Sequence, residues 1–249
     1  SADSSQVLFV NDTDGDENFH LFRVPVDGGE SVDLTPVDGV RVQILLVSEK
    51  HPESIWIGLN DRDPALHDVY RVELATGERT LVQQNDAGYA GFELDHDGNV
   101  RLAYQPTEDG GMQVFKKDGD AWKPVASIGM EDSLTTNMIG FDADNQTLYL
   151  EESRERNTSA LMAWNLDSGE KQLLGEDPKA DYAYSLWHPT EHRPLAAAFE
   201  FDRTRWQYFD DGVEADLTWL TDELGGEIQV SSTTDDDRTW VVLVGKDDA

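Results

Sequence analysis

The chain has 249 residues, no cysteine and 38% hydrophobic residues, enough apolar material for one sizeable core or two small ones. Without cysteine, disulfides, thiolate zinc sites and cysteine nucleophiles are excluded, and no run approaches the roughly 18–20 apolar residues of a membrane helix. Nineteen Lys and Arg stand against 51 Asp and Glu, a formal charge of −32, which repels a phosphate backbone or an anionic bilayer and so argues against nucleic-acid and membrane roles.

The acids are spread along the chain, the pattern of a solvated folded surface and not of a disordered tail. Such a surface serves solubility, in a salty habitat above all, where screening removes its self-repulsion. Ser1-Ala2-Asp3-Ser4-Ser5-Gln6 has neither the basic start nor the apolar stretch of a signal peptide. The expectation is a soluble protein, with the cytoplasm favoured over the periplasm, and no residue pattern calls for a cofactor.

In chain order, the first marked feature is Asp12-Thr13-Asp14-Gly15-Asp16-Glu17-Asn18. Asp12, Asp14 and Asp16 supply the oxygen ligands a hard cation needs, but the glycine is misplaced for an EF-hand and the distal glutamate is missing. A hairpin turn rich in residues that tolerate positive φ is the plainer reading, and no metal is expected. Four strand-like runs follow, Val42 to Val47, Ile55 to Leu59, Asp68 to Leu74 and Thr80 to Gln83. The next four are Gly91 to Leu94, Val100 to Tyr104, Met112 to Phe115 and Trp122 to Ala126, and then Met138 to Phe141, Thr147 to Leu150, Ala160 to Asn165 and Lys171 to Leu174.

Two series of turns repeat through these runs. Pro52, Asp97, Asp144, Thr190 and Asp236 mark the first, with steps of 45, 47, 46 and 46; Gly28, Gly77, Gly119, Gly169 and Gly212 mark the second, with steps of 49, 42, 50 and 43. Four short strands in each period of about 40–45 residues is the signature of a β-propeller blade, a small antiparallel sheet that buries its faces against its neighbours. One unit departs from the pattern. Asp211 and Glu214 read as a capping box, Val213, Leu217, Leu220 and Leu224 recur at helical spacing, and Gly225-Gly226 supplies a stop. A helix over Val213 to Glu223 is therefore expected where a fourth strand would lie.

The turn count starts without the first blade's innermost strand and ends with Ile228 to Ser232 and Thr239 to Val244 as the first pair of a last blade. The expected fold is thus an all-β propeller of four-stranded antiparallel blades, about five to six represented and the end ones incomplete. Residues 1–249 form one domain in this reading, a piece of a longer two-domain chain; a six-bladed ring whose last blade mixes strands from both ends is the alternative.

Gly15-Asp16-Glu17-Asn18-Phe19-His20-Leu21, Leu34-Thr35-Pro36, and His51-Pro52 through Leu59-Asn60-Asp61-Arg62-Asp63-Pro64 and His67-Asp68-Val69-Tyr70-Arg71-Val72 resemble the opening blades of the prolyl-oligopeptidase family, which includes the acylaminoacyl peptidases. Glu131-Asp132-Ser133-Leu134-Thr135-Thr136 and Gly140-Phe141-Asp142-Ala143-Asp144 resemble a branch of it. Members join a propeller to an α/β-hydrolase domain with a Ser, Asp and His triad, so the resemblance implies a hydrolase domain after Ala249 as partner, with short peptides as substrates. The chain has no Gly-x-Ser-x-Gly elbow and no strand–helix alternation to build a hydrolase sheet, so no catalytic residue carries over.

Five arginines, Arg62, Arg154, Arg156, Arg203 and Arg205, fall in connections between second and third strands, which blade topology puts on one face. Each either staples its own turn to a carboxylate or presents a guanidinium fork to a partner domain or a substrate carboxylate. The six histidines show no paired-ligand spacing, and the tryptophans fall mostly in strands as packing residues. The implied function is a non-catalytic propeller domain gating peptide access in a serine peptidase. The alternatives are a free-standing propeller scaffold for protein partners and, third, a carbohydrate-active propeller enzyme with paired carboxylates.

Overall fold

A computed structural model describes residues 1–246. Residues 247–249, the end of the expected domain, lie outside the described residues. The chain divides into two compact units, one of residues 1–130 and one beginning at Glu131.

The first unit contains three antiparallel sheets. β1 (Gln6–Asn11), β2 (His20–Pro25) and β3 (Val32–Asp33) form a three-stranded sheet. β4 (Val42–Val47), β5 (Ser54–Asp63), β6 (Leu66–Glu73) and β7 (Arg79–Gln83) form the second, and β8 (Gly91–Leu94), β9 (Val100–Pro106), β10 (Met112–Asp118) and β11 (Ala121–Ile128) the third. Strands pair in sequence order throughout, as a propeller blade requires. β5 shows why the blades need each other. Ile55, Ile57 and Leu59 pack with Leu21 and Leu34 from the first sheet's side and with Val42 of β4, whereas Trp56 joins Phe92 and Ala103 of the third sheet and Tyr89 of the link before it. Alternate residues of one strand thus fill two different cores, which explains an apolar run without polar alternation.

The second unit repeats the plan. β12 (Asn137–Phe141), β13 (Thr147–Glu152), β14 (Ala160–Asn165) and β15 (Lys171–Glu176) make a four-stranded sheet. β16 (Tyr182–Trp187), β17 (Pro194–Glu200) and β18 (Thr204–Tyr208) make a three-stranded one, followed by α1 (Asp211–Leu224) and the hairpin β19 (Glu227–Thr233) and β20 (Trp240–Gly245). Among the described residues, six antiparallel sheets with one α-helix match the expected propeller blades and incomplete end units. Val213 and Leu217 of α1 pack on Leu186, Leu195 and Ile228, so the helix, which follows β18 in chain order where a fourth strand would come, covers side chains of β16, β17 and β19.

Four of the five turns in the first series have a common cause. Gly98, Asn145, His192 and Asp237 all take positive φ (78°, 60°, 53° and 51°) at the connection between the first and second strands. Amide-to-carbonyl bonds close three of these turns alike, Gly98 to Asp95, Asn145 to Asp142 and Asp237 to Thr234. In the second series, Gly28, Gly77, Gly119 and Gly169 are likewise left-handed. Gly212 is a correction, because it lies inside α1 and not in a turn. The helix cap is a second one. Asp210, not Asp211, is the N-cap: its Oδ1 accepts the amides of Gly212 (3.0 Å) and Val213 (3.3 Å), and its carbonyl accepts the Glu214 amide. At the other end Gly225 (φ 66°) donates its N–H to the Thr221 carbonyl.

Candidate binding surface

The five arginines of the sequence reading each meet a carboxylate. Arg62 closes β5, inside the strand and not in the loop beyond it. Its Nε and Nη2 donate to the two oxygens of Asp68 at 2.7 and 2.9 Å, and Nη2 also reaches the Asn85 carbonyl at 2.8 Å. Asp68 is buried on β6 and accepts the Asn85 amide at 2.7 Å. Burial alone would raise its carboxyl, but the Arg62 fork and that amide outweigh it, and Asp68 sits below the usual carboxylate range. The hydrogen bonds that Asp68 accepts hold the Arg62 guanidinium correspondingly high. Asn85 in turn exchanges side-chain bonds with the Tyr89 carbonyl and amide, so one fork fixes the link from β7 to β8.

In the second unit, Arg154 grips Glu152 through both Nε and Nη2, the latter at 2.8 Å, and Lys171 binds the same carboxylate. Glu152 is buried, which would raise it, yet the two cations bring it below its ordinary value. Lys171 also lies 4.6 Å over the Trp164 ring. Arg156 pairs with Glu176 and Arg205 with the adjacent Asp177 (3.4 Å), so the structure brings these two arginines to one stretch at the end of β15. Arg205 belongs to β18 itself and lies 5.6 Å over Phe201, which stands 53% exposed with Lys179 at a similar distance. Arg203 faces Glu227 across 3.8 Å.

The acidic turn spends its oxygens on its own backbone. Asp16 Oδ1 accepts the amides of Thr13 (3.3 Å) and Asn18 (3.0 Å), and Asp12 Oδ2 accepts that of Glu17 (3.1 Å). Asp14, Gly15 and Glu17 take positive φ, the geometry of a tight loop between β1 and β2. Bonds from the Asn18 side chain and amide lower the Asp16 carboxyl. Among the described residues no group of three or more His, Cys, Asp or Glu is placed to hold a metal ion. No helix among them is long and apolar enough to cross a membrane.

Sequence reasoning missed one feature of the second unit. A cavity of about 620 Å³ opens between β18, the end of α1 and the β19–β20 hairpin, walled by Arg203, Trp206, Thr221, Glu227, Ile228 and Lys246 with the backbone of Gly225, Gly226 and Gly245. A second space of about 300 Å³, which includes Tyr184 and Glu200, shares its Thr204, Glu227, Ile228 and Gly245 wall. Trp206 is held edge-on by Tyr184, with ring centroids 5.5 Å apart. The signal was present as glycines bracketing the hairpin, since a methyl on Gly226 would come 2.2 Å from the Gly245 carbonyl oxygen.

No protein-family profile matches the chain. Over 95% of its length it is 40% identical to dipeptidyl aminopeptidase BIII of Pseudoxanthomonas mexicana, covering 34% of that protein. Over 97% of its length it is 26% identical to dipeptidyl peptidase family member 6 of Caenorhabditis elegans, covering 35%. The chain therefore spans about a third of the length of the curated relatives it matches. Among solved structures, an oligogalacturonate lyase in complex with manganese superposes with a TM-score of 0.59 (12% identity, 85% of this chain, 61% of the other). TolB from Acinetobacter baumannii gives 0.54 (14% identity, 84% and 54%), and a prolyl endopeptidase gives 0.53 (13% identity, 84% and 33%). At these identities the structural likenesses speak for the propeller fold alone.

Proposed function

We propose that the chain belongs to the prolyl-oligopeptidase family of peptidases, and that residues 1–249 are one non-catalytic propeller domain that gates the access of short peptides to an α/β-hydrolase domain. The observation that carries the reading is the 40% identity along 95% of the chain to a dipeptidyl aminopeptidase of which it covers 34%. The chemistry agrees. A serine of this kind of peptidase becomes a nucleophile when an imidazole, itself held by a carboxylate, takes its proton beside an oxyanion hole. The buried serines here serve otherwise: Ser153 Oγ donates to Asp132 at 2.8 Å and Ser159 Oγ to Glu151 at 2.6 Å, bonds that pin loops to strands.

The test compares the purified chain with the intact protein expressed from its full reading frame. Short chromogenic peptides and a fluorophosphonate probe should be turned over and bound by the intact protein, while the chain alone gives neither turnover above a heat-inactivated control nor a labelled serine. Stoichiometric labelling of the chain alone would overturn its non-catalytic role. Gating is read from size selectivity: the intact protein should cleave peptides of a few residues and spare a long unstructured substrate with the same cleavable end. Equal rates on both would remove the gate.

A further inference from the structure

We infer that the seam where the end of β15 meets β18 is a docking surface for an acidic peptide segment, an apolar side chain flanked by carboxylates. This goes beyond the gating role and does not depend on it. At its centre Phe201 stands exposed in the turn between β17 and β18, with Lys179 Nζ 5.5 Å and the Arg205 guanidinium 5.6 Å from its ring. An exposed ring beside two cations sets apolar surface and positive charge together, as interface hot spots do. The surface is also preformed. Gln207 on β18 accepts the Glu176 amide at 3.1 Å and donates back to the Glu176 carbonyl, while Thr158 Oγ1 donates to the Asp177 carbonyl at 2.6 Å. These bonds tie two neighbouring sheets of the second unit together, so little ordering opposes docking. Alternation along β18 sets the seam apart from the cavity beside α1: Arg205 and Gln207 reach towards β15, whereas Thr204 and Trp206 wall the cavity.

The charges at the seam select the partner. The chain holds 51 acidic residues against 19 basic ones, yet Lys179 pairs with no carboxylate among the described residues. Arg205 has one, Asp177, which only its Nη1 reaches, at 3.4 Å, so most of its guanidinium donors are unengaged. Asp177 itself is spent on the backbone: it is buried, and its Oδ1 accepts the amides of Lys179 (2.8 Å) and Ala180 (3.2 Å). Glu176 is held by Arg156, and Glu200 lies among the walls of the smaller space on the other face of its sheet, which leaves the exposed Asp202 as the acid beside Phe201. An ammonium and a guanidinium on one ring suit two carboxylates astride an apolar side chain that rests on Phe201.

The experiment titrates the ¹⁵N-labelled chain with the N-acetylated, C-terminally amidated tripeptides Glu-Leu-Glu, Gln-Leu-Gln and Lys-Leu-Lys. It follows the amides of Lys179, Ala180 and Phe201 and the side-chain amide of Gln207. The formal charge of −32 draws the basic peptide to the molecule as a whole, so a preference for the acidic one here comes from local contacts. The acidic peptide should shift these signals saturably and bind at least about fivefold more tightly than either other peptide. Lys179→Gln should remove most of its advantage over the glutamine peptide, and Phe201→Ser should weaken both; a native spectrum elsewhere shows that the variants are folded. The intact protein expressed from its full reading frame should bind a fluorescent form of the acidic peptide as tightly as the chain does. Loss of binding there assigns the surface to a contact within the same protein. That loss, absence of saturable shifts, or equal binding of the three peptides would overturn the inference.

Discussion

Gly98 lies flat against the indole of Trp56, so that a methyl group at Gly98 would stand 2.2 Å from the ring carbon Cζ2. The turn from β8 to β9 thus closes on the strand that also fills two cores. Gly98→Ala adds both that overlap and the strain of a side chain at φ 78°. We expect a loss of about 3 kcal/mol in urea unfolding. Gly28→Ala, at φ 95° with nothing within 4 Å, carries backbone strain alone and should cost about 1 kcal/mol. Equal losses would show that the indole yields.

Asp68 holds Arg62 and the Asn85 amide from a buried position. Asp68→Ala leaves an amide and half of a guanidinium without their acceptor, and should destabilise by about 2–3 kcal/mol. Arg238→Ala, whose side chain is 84% exposed, should stay within about 0.5 kcal/mol. Because the folded-state pKa of Asp68 is depressed, its stabilisation is present above the ordinary Asp range near 4 and is lost as the pH falls through and below it. The acid limb of a stability–pH curve should therefore flatten in the Asp68→Ala variant.

Glu93 on β8 behaves oppositely. Burial pushes its carboxyl up to about 7, with the Tyr104 hydroxyl donating to Oε2 at 3.1 Å as a smaller opposing effect. A raised carboxyl favours the neutral form, so stability is complete below the unfolded value near 4.5 and is lost as the pH rises towards and through 7. Glu93→Gln should match the parent at pH 4 and exceed it at pH 8 by up to about 3 kcal/mol. Melting curves at the two pH values decide this; a variant matching the parent at pH 4 and less stable than it at pH 8 would show that the carboxyl is needed as an ion.

The helix cap can be tested by neighbouring substitutions. Asp210→Ala removes the acceptor of two free amides and should cost about 1–2 kcal/mol, whereas Asp211→Ala loses only a charge near the helix start and should cost about 0.3 kcal/mol. Circular dichroism at 222 nm during unfolding measures both.

The blades were legible because their signals are local: a left-handed residue every 46 or so positions, with strands between, reads straight off the chain. The cap was misplaced by one residue because Asp210 and Asp211 are chemically identical, and only φ/ψ decides which carboxylate faces the amides. Arg62 and Asp68 are six residues apart across one hairpin, so their pairing becomes readable once the register of β5 and β6 is known. Arg205 and Asp177 are held by different sheets, and the cavity beside α1 is walled by residues from Arg203 to Lys246, relations that no short-range pattern encodes.

Consecutive pairing has a consequence for how the molecule is made. No strand among the described residues pairs with one distant in sequence; the whole β4–β7 sheet, for example, is complete once Gln83 has been synthesised. Loop closure is correspondingly cheap, and each hairpin can zip without awaiting later residues. On the ribosome, where the chain emerges at about 5–20 residues per second and hairpins form in microseconds, each sheet has time to assemble before the next is translated. Folding order then follows the reading frame, and a defect in β5 is met early in synthesis, before the third sheet exists to cover Trp56.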